Sequence, residues 1–381
     1  MSRTAYINGK VLVGRQFRTG LAVTTRSGLI EKIQPAGADA EDGARIVDLA
    51  GDYLLPGFVD VQVNGGGGVL FNDQPTVDGI RAIAEAHRAF GTTTLLPTLI
   101  SDELDIVDRA LTAARQAIDS AVPGVVGVHI EGPFLNSARK GIHDARKLRP
   151  LTREIAEGLV PLPKGPTVLT LAPETVEPEL IEMLSARGFI VSCGHSEATQ
   201  AQVKQALEKG LRGFTHLFNA MSQLTPREPG VVGQALADRE SWCGIIADGR
   251  HVAPESLEIA WRCKGAEKLM LVTDAMPPVG SAERGFELMG KRITVRDGVC
   301  VDSQGTLAGA ALDMATAVRN MADFTSSTLA DACVMASSAP AAFLGVQDKR
   351  GSIAEGLRAD LVVMDARRRV KSTIIAGIEA V

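Results

Sequence analysis

Nowhere in the chain do about 18 consecutive apolar residues occur, so no segment has the make-up of a membrane-spanning helix. The first stretch, "MSRTAYINGKVLV", lacks an apolar run preceded by basic residues, which gives no sign of a secretory leader. These absences lead us to expect a soluble, cytoplasmic protein. Cysteine is sparse: Cys193, Cys243, Cys263, Cys300 and Cys333 are scattered, with no C-x-x-C pair. That spacing suggests neither a disulfide framework nor a thiolate zinc site, and buried reduced thiols fit better. Net charge is −5 and no basic run exceeds Arg367 to Arg369, which excludes nucleic acid and anionic membrane as expected partners. With only two Trp and two Tyr, the chain draws its core from aliphatic side chains.

What is present is 45% hydrophobic residues with abundant Gly and Ala, the composition of a tightly packed α/β enzyme. From about Leu54 to Gly345 one theme recurs: a short β-rich run, a polar loop, then a helical stretch with apolar period near 3.6. Eight such units are counted, with strands beginning near Phe58, Thr93, Val125, Thr167, Ile190, Gly213, Trp242 and Leu269. Eight alternating units predict a (β/α)8 TIM barrel. Residues 1–53 and 350–381 instead carry short alternating strands and turn pairs such as Asn8-Gly9. They are expected to form one small β-sandwich domain beside a barrel of residues 54–349. Val295 to Asp302 reads as a hairpin inserted after the eighth strand.

In such a barrel the chemistry sits where strands end at their C-termini. The third strand ends in Glu131, the fifth leads to His195, the sixth to His216 and the eighth to Asp274, so these side chains would converge on one mouth. One carboxylate and two imidazoles leave an open position for water on zinc or a similar divalent ion, and Asp274 could then move that water's proton. Taken alone, each residue has a blander reading. A strand histidine is more often simply hydrogen-bonded, Glu131 could pair with a lysine, and Asp274 could cap a loop. Together they favour a metal. His129 lies one pleat below Glu131 and reads as a core or supporting histidine. His87, mid-helix, reads as a helix-surface residue. The run Gly65 to Gly68 lacks the Lys-Ser/Thr of a phosphate loop and reads as a close-approach loop.

The segments "LPGFVDVQVNG", "GVHIEGPFLN", "RKGIHD", "SCGHS", "FTHLFNAM", "ADGRHV", "LVTDAM" and "TLAGA" follow one another at compatible spacing over nearly the whole chain. In these the sequence resembles the N-acetylglucosamine-6-phosphate deacetylases of the amidohydrolase superfamily. The resemblance implies hydrolysis of the acetamide of N-acetylglucosamine 6-phosphate, in amino-sugar catabolism or cell-wall sugar recycling. It also implies Glu131, His195 and His216 as ligands of one divalent ion, with Asp274 as general base and then acid and His143 stabilising the oxyanion. Zinc leads in affinity among Zn²⁺, Fe²⁺, Mn²⁺ and Co²⁺, all of which accept these ligands. Ile142, Asn219, Ala220, Leu307, Ala308 and Gly309 match segments that line the sugar and phosphate. Arg227 and His251 match phosphate-facing positions that reach across a dimer interface into the neighbour's site, which implies a homodimer. On its own, Arg227 in "LTPREPG" would pass as a solvated arginine.

Many amidohydrolases carry His-x-His at the end of the first strand to hold a second metal, and here Gln62 and Asn64 take those positions. Neutral amides are poor zinc ligands. We therefore expect a single-metal site in which the two amides hydrogen-bond water or substrate. Two other functions share some of these residues. A cyclic-amide hydrolase or aminohydrolase would use the same barrel and metal. A non-catalytic sugar-phosphate binder would have lost its chemistry with the first-strand histidines.

Overall fold

The computed structural model describes residues 3–37 and 43–380. Eight parallel strands follow one another in sequence order around a barrel: Phe58–Val63, Thr92–Ile100, Val128–Glu131, Thr167–Leu171, Phe189–Cys193, Gly213–Phe214, Trp242–Ile245 and Leu269–Leu271. All eight coincide with runs predicted from the sequence. Parallel strands covered on both faces form near-continuous buried runs; every residue of Thr92–Ile100 is buried, its four threonines included.

The barrel closes through a seam between its first and last strands. Asp274 N–H donates to the Gln62 carbonyl (3.0 Å) and Asn64 N–H to the Ala275 carbonyl (2.9 Å), around a parallel bridge between Val63 and Ala275. Asp60 is buried in this seam and accepts from the Thr273 hydroxyl (2.5 Å). Burial pushes its carboxyl up to about 7, against the pull of those hydrogen bonds.

Helices pack outside the barrel with their small and aliphatic faces inward. The helix Gln200–Glu208 begins on a reciprocal cap between Thr199 and Gln202, which anchors the loop leaving the fifth strand. The helix Val77–Arg88 starts on the Thr76 hydroxyl, which accepts from Gly79 N–H. His87 lies on this helix and is not at the surface as the sequence suggested: it is fully buried, and its Nε2 bonds the Gly65 carbonyl at 2.9 Å. A Cβ on Gly66 would stand 2.9 Å from that ring, so the glycine run is the surface against which the helix packs.

Two sheets lie apart from the barrel. One holds four strands, ordered Leu29–Pro35, Leu21–Arg26, Arg3–Ile7 and Arg45–Asp48. The other has six and joins both ends of the chain, because Leu361–Met364 pairs antiparallel with Tyr53–Pro56. Val23 and Ile30 of the first sheet and Leu54, Leu361 and Ile374 of the second share one apolar core. After the eighth barrel strand comes a four-stranded antiparallel sheet, Gly285–Leu288, Lys291–Arg296, Val299–Val301 and Leu307–Ala310. It contains the expected hairpin and is larger than that hairpin. Its last strand lies against the segment after the barrel, with Met276 N–H donating to the Ala310 carbonyl at 3.0 Å. Among the described residues no helix is long and apolar enough to cross a membrane.

Candidate active site

Glu131 ends the third barrel strand, while His195, His216 and Asp274 follow the fifth, sixth and eighth within three residues. His195, His216 and Asp274 all have positive φ, at 50°, 36° and 48°. That region is unfavourable for residues with a Cβ, at a cost on the order of 1–3 kcal/mol each. The tight reversal turns each side chain off its strand and over the barrel mouth. Three such turns fall at this one mouth, among the described positive-φ residues that also occur in surface turns.

Glu131 Oε1 stands 3.1 Å from His195 Nε2 and 2.9 Å from His216 Nε2, and the two nitrogens are 3.0 Å apart. All three residues are buried. Ligands at about 2.0–2.2 Å around a tetrahedral ion leave neighbouring donor atoms little more than 3 Å apart, so this triangle has the size of one face of such a site. The proton arrangement agrees. His195 Nδ1 lies 2.8 Å from the Arg139 carbonyl, which can only accept, so the ring carries its proton there when neutral. Its Nε2 lone pair then faces a carboxylate oxygen, an arrangement that a cation relieves. Burial alone would raise Glu131 and lower His216. A proton shared between the carboxylate and a charged imidazole outweighs it, holding Glu131 well below the usual carboxylate range and raising His216, and a bound cation would take that proton's place. The donor set therefore fits a divalent ion, with Glu131 as its anionic ligand.

Asp274 sits beside this triangle. Its Oδ1 accepts from Asn64 Nδ2 (2.6 Å) and from Gln62 Nε2 (3.1 Å), and the same Gln62 nitrogen donates to Glu131 Oε2 (3.1 Å). The amides that raised a question in the sequence thus clamp two carboxylates, where water or substrate was expected as their partner. Gln62 Nε2 lies between two acidic groups with two N–H bonds, which makes it a neutral stand-in for a bridging cation. Burial first, and then the charge of Glu131, push the Asp274 carboxyl up to about 6, with His216, His251 and the Asn64 amide pulling it back.

A cavity of about 370 Å³ opens over these groups, within the range for a small polar ligand. Ile142, His143, Asn219, Ala220, Leu307 and Gly309 all line it. Ala308 does not: strand alternation turns it into the apolar cluster with Leu70, Met276 and Phe286. Gly309 has φ +69°, and a Cβ there would meet Met276 Cγ at 2.7 Å, so only glycine lets this strand approach Asp274. His251 lines the cavity of its own chain, with Nδ1 held by Asp248 Oδ2 at 2.6 Å. Arg227 is exposed on its loop and is not part of the cavity wall. Arg139 and Met276 line the cavity without having been singled out. Arg139, four residues before His143 in "RKGIH", was within reach of sequence reasoning, whereas Met276 looked like any core methionine.

The pattern of the amidohydrolase family matches residues 53–379. The chain belongs to the amidohydrolase family. This amidohydrolase is 48% identical over 332 residues to the N-acetylgalactosamine-6-phosphate deacetylase of Shewanella sp. (strain ANA-3), covering 86% of this chain and 83% of that one. It is 34% identical over 376 residues to the N-acetylglucosamine-6-phosphate deacetylase of Haemophilus influenzae, covering 98% of each. The crystal structure of N-acetylglucosamine-6-phosphate deacetylase from Pasteurella multocida superposes with a TM-score of 0.94 at 34% identity and covers 99% of both chains.

Proposed function

We propose that this amidohydrolase hydrolyses the acetamide of N-acetylglucosamine 6-phosphate to glucosamine 6-phosphate and acetate. The observation that carries the reading is the convergence of Glu131 Oε1, His195 Nε2 and His216 Nε2 beside a clamped Asp274 in one cavity. The deacetylases to which the chain is similar supply the substrate class.

Glu131, His195 and His216 would hold one divalent ion per chain, zinc leading by affinity order. Such an ion supplies Lewis acidity and a nucleophilic water at neutral pH. Asp274 takes a proton from the attacking water. The Asn64 and Gln62 amides occupy Oδ1, which leaves Oδ2 as the basic oxygen. The same carboxyl then delivers the proton to the departing sugar nitrogen, so one group serves as base and then acid. His143 donates to the amide carbonyl oxygen, which gains negative charge as the tetrahedral centre forms. Ile142, Asn219, Ala220, Leu307 and Gly309 shape the sugar site, and His251 faces the phosphate, which needs a charged or polar donor. Arg227, outside its own cavity, would complete the phosphate site of a second copy, which supports a homodimer.

One observation favours a second substrate: the relative at 48% identity is named for the galactosamine epimer. The decisive experiment compares acetate release from the two 6-phosphates and from unphosphorylated N-acetylglucosamine, with the ion per chain counted by elemental analysis. The proposal expects the glucosamine epimer to be preferred, a steep drop without phosphate, and about one ion per active chain. A higher kcat/KM for the galactosamine epimer would transfer the assignment to it. No acetate from any of the three by ion-replete protein would overturn the proposal, and two ions per chain would require a bridging-hydroxide scheme.

A further inference from the structure

The proposed role of His143 requires an imidazole that is neutral and protonated on one particular nitrogen, and the structure contains a device that determines both. Ser101 follows the second barrel strand and is buried. Its backbone N–H points at His143 Nδ1 over 3.2 Å, and its Oγ lies 2.7 Å from the same nitrogen. A backbone N–H can only donate, so Nδ1 must present a lone pair. Both the imidazolium and the Nδ1–H tautomer would set hydrogen against hydrogen at this contact. The proton of His143 therefore resides on Nε2, for which no protein partner occurs among the described residues, on a ring that lines the cavity.

We infer that Ser101 is a positioning residue of this amidohydrolase, holding His143 as a neutral Nε2–H donor so that it contributes a hydrogen bond and never a proton. The inference rests on the function proposed above for the role of His143, and on geometry alone for its protonation. The chain also makes room for this hydroxyl. A Cβ on Gly132, the residue after Glu131, would stand 2.2 Å from Ser101 Oγ, and Gly132 has φ +89°. Ser101 Oγ also lies 3.4 Å from the Glu131 carbonyl, so one small side chain spans the backbone of a metal-binding residue and the ring of the oxyanion donor.

The test is ¹⁵N–¹H correlation of imidazole-labelled, zinc-loaded protein, with His143 assigned by its loss in His143→Gln. The expected result at pH 7 is an unprotonated Nδ1 and a protonated Nε2. A proton on Nδ1 would overturn the inference. It would do so even if acetate release were normal, so this failure differs from failure of the functional proposal. In Ser101→Ala, which keeps the backbone N–H, kcat should fall about 10-fold, a fraction of what loss of a whole oxyanion donor costs, with KM within about twofold. Ser101→Thr should restore part of the loss. An unchanged kcat in the alanine variant would overturn the part of the inference that gives the Ser101 hydroxyl a positioning role. Should either variant fail to fold, the spectrum of the unmodified protein still decides.

Discussion

Two buried polar layers lie one pleat apart in the same barrel, and they solve opposite problems. In the lower layer, His129 Nδ1 donates to the Val61 carbonyl (3.0 Å) and Nε2 accepts from the Thr170 hydroxyl (2.7 Å). Thr170 in turn accepts from Thr215 (2.7 Å), which accepts from Ser192 (2.9 Å). Because the carbonyl fixes the first donor, each proton in the chain is fixed, and every hydroxyl acts in one direction. Burial lowers His129 to about 4, so it remains neutral and satisfied. In the upper layer the same residue types crowd three ligand atoms together: Glu131 Oε1 and two Nε2 atoms lie within 3.1 Å, the His195 lone pair faces the carboxylate, and His216 Nδ1 has no partner. The difference shows that an ion site in this barrel is identified by a shortage of protons. The presence of histidine does not identify one, since both layers contain it.

Substitutions should separate the two layers. The largest effect is expected for Asp274→Asn. It removes the proton carrier while preserving a group of the same shape, so turnover should fall by about 10³ to 10⁴-fold. Ion content measured by elemental analysis should stay unchanged; a variant that keeps its rate would remove Asp274 from the mechanism. Next comes Gln62→Leu, which takes a donor from both Glu131 and Asp274. Ion affinity or kcat should drop by about 10 to 100-fold, the usual loss for a group supporting a ligand. A chelator titration followed by activity distinguishes the two. The smallest effect on catalysis is expected in the lower layer. Thr170→Val breaks the hydroxyl chain and should lower stability by about 1–3 kcal/mol in denaturant unfolding, with the rate of ion-replete protein changed less than about twofold. A large rate loss there would mean that the layers are coupled and the comparison is wrong.

The eight barrel strands were legible because buried parallel strands are largely apolar along their length, and their ends were legible because polar residues interrupt those runs. Glu131, His195, His216 and Asp274 could be picked out for the same reason. The amide clamp was not, since an isolated Gln62 reveals only that a polar side chain faces the mouth, and its partners lie 69 and 212 residues away. His87 misled because a polar residue on an amphipathic helix usually faces water; here it serves the backbone of a glycine loop that has no side chains to fill the space. His251 was picked out through resemblance alone, since nothing local in the sequence shows that its bond to Asp248 holds it at the cavity. Ser101 carried no signal at all, because its effect lies in two contacts to a ring 42 residues away, one of them from its backbone N–H.

The seam of the barrel has a consequence for how activity can arise. Asp274 is donated to by Gln62 and Asn64, and the same residues supply the backbone bonds by which the last strand meets the first. The carboxyl proposed as base is therefore oriented by the closing of the ring itself. A nascent chain still lacking its eighth strand could already bring Glu131, His195 and His216 together, and could capture an ion without hydrolysing anything. Metal capture and turnover would then be acquired at different moments in the life of the polypeptide.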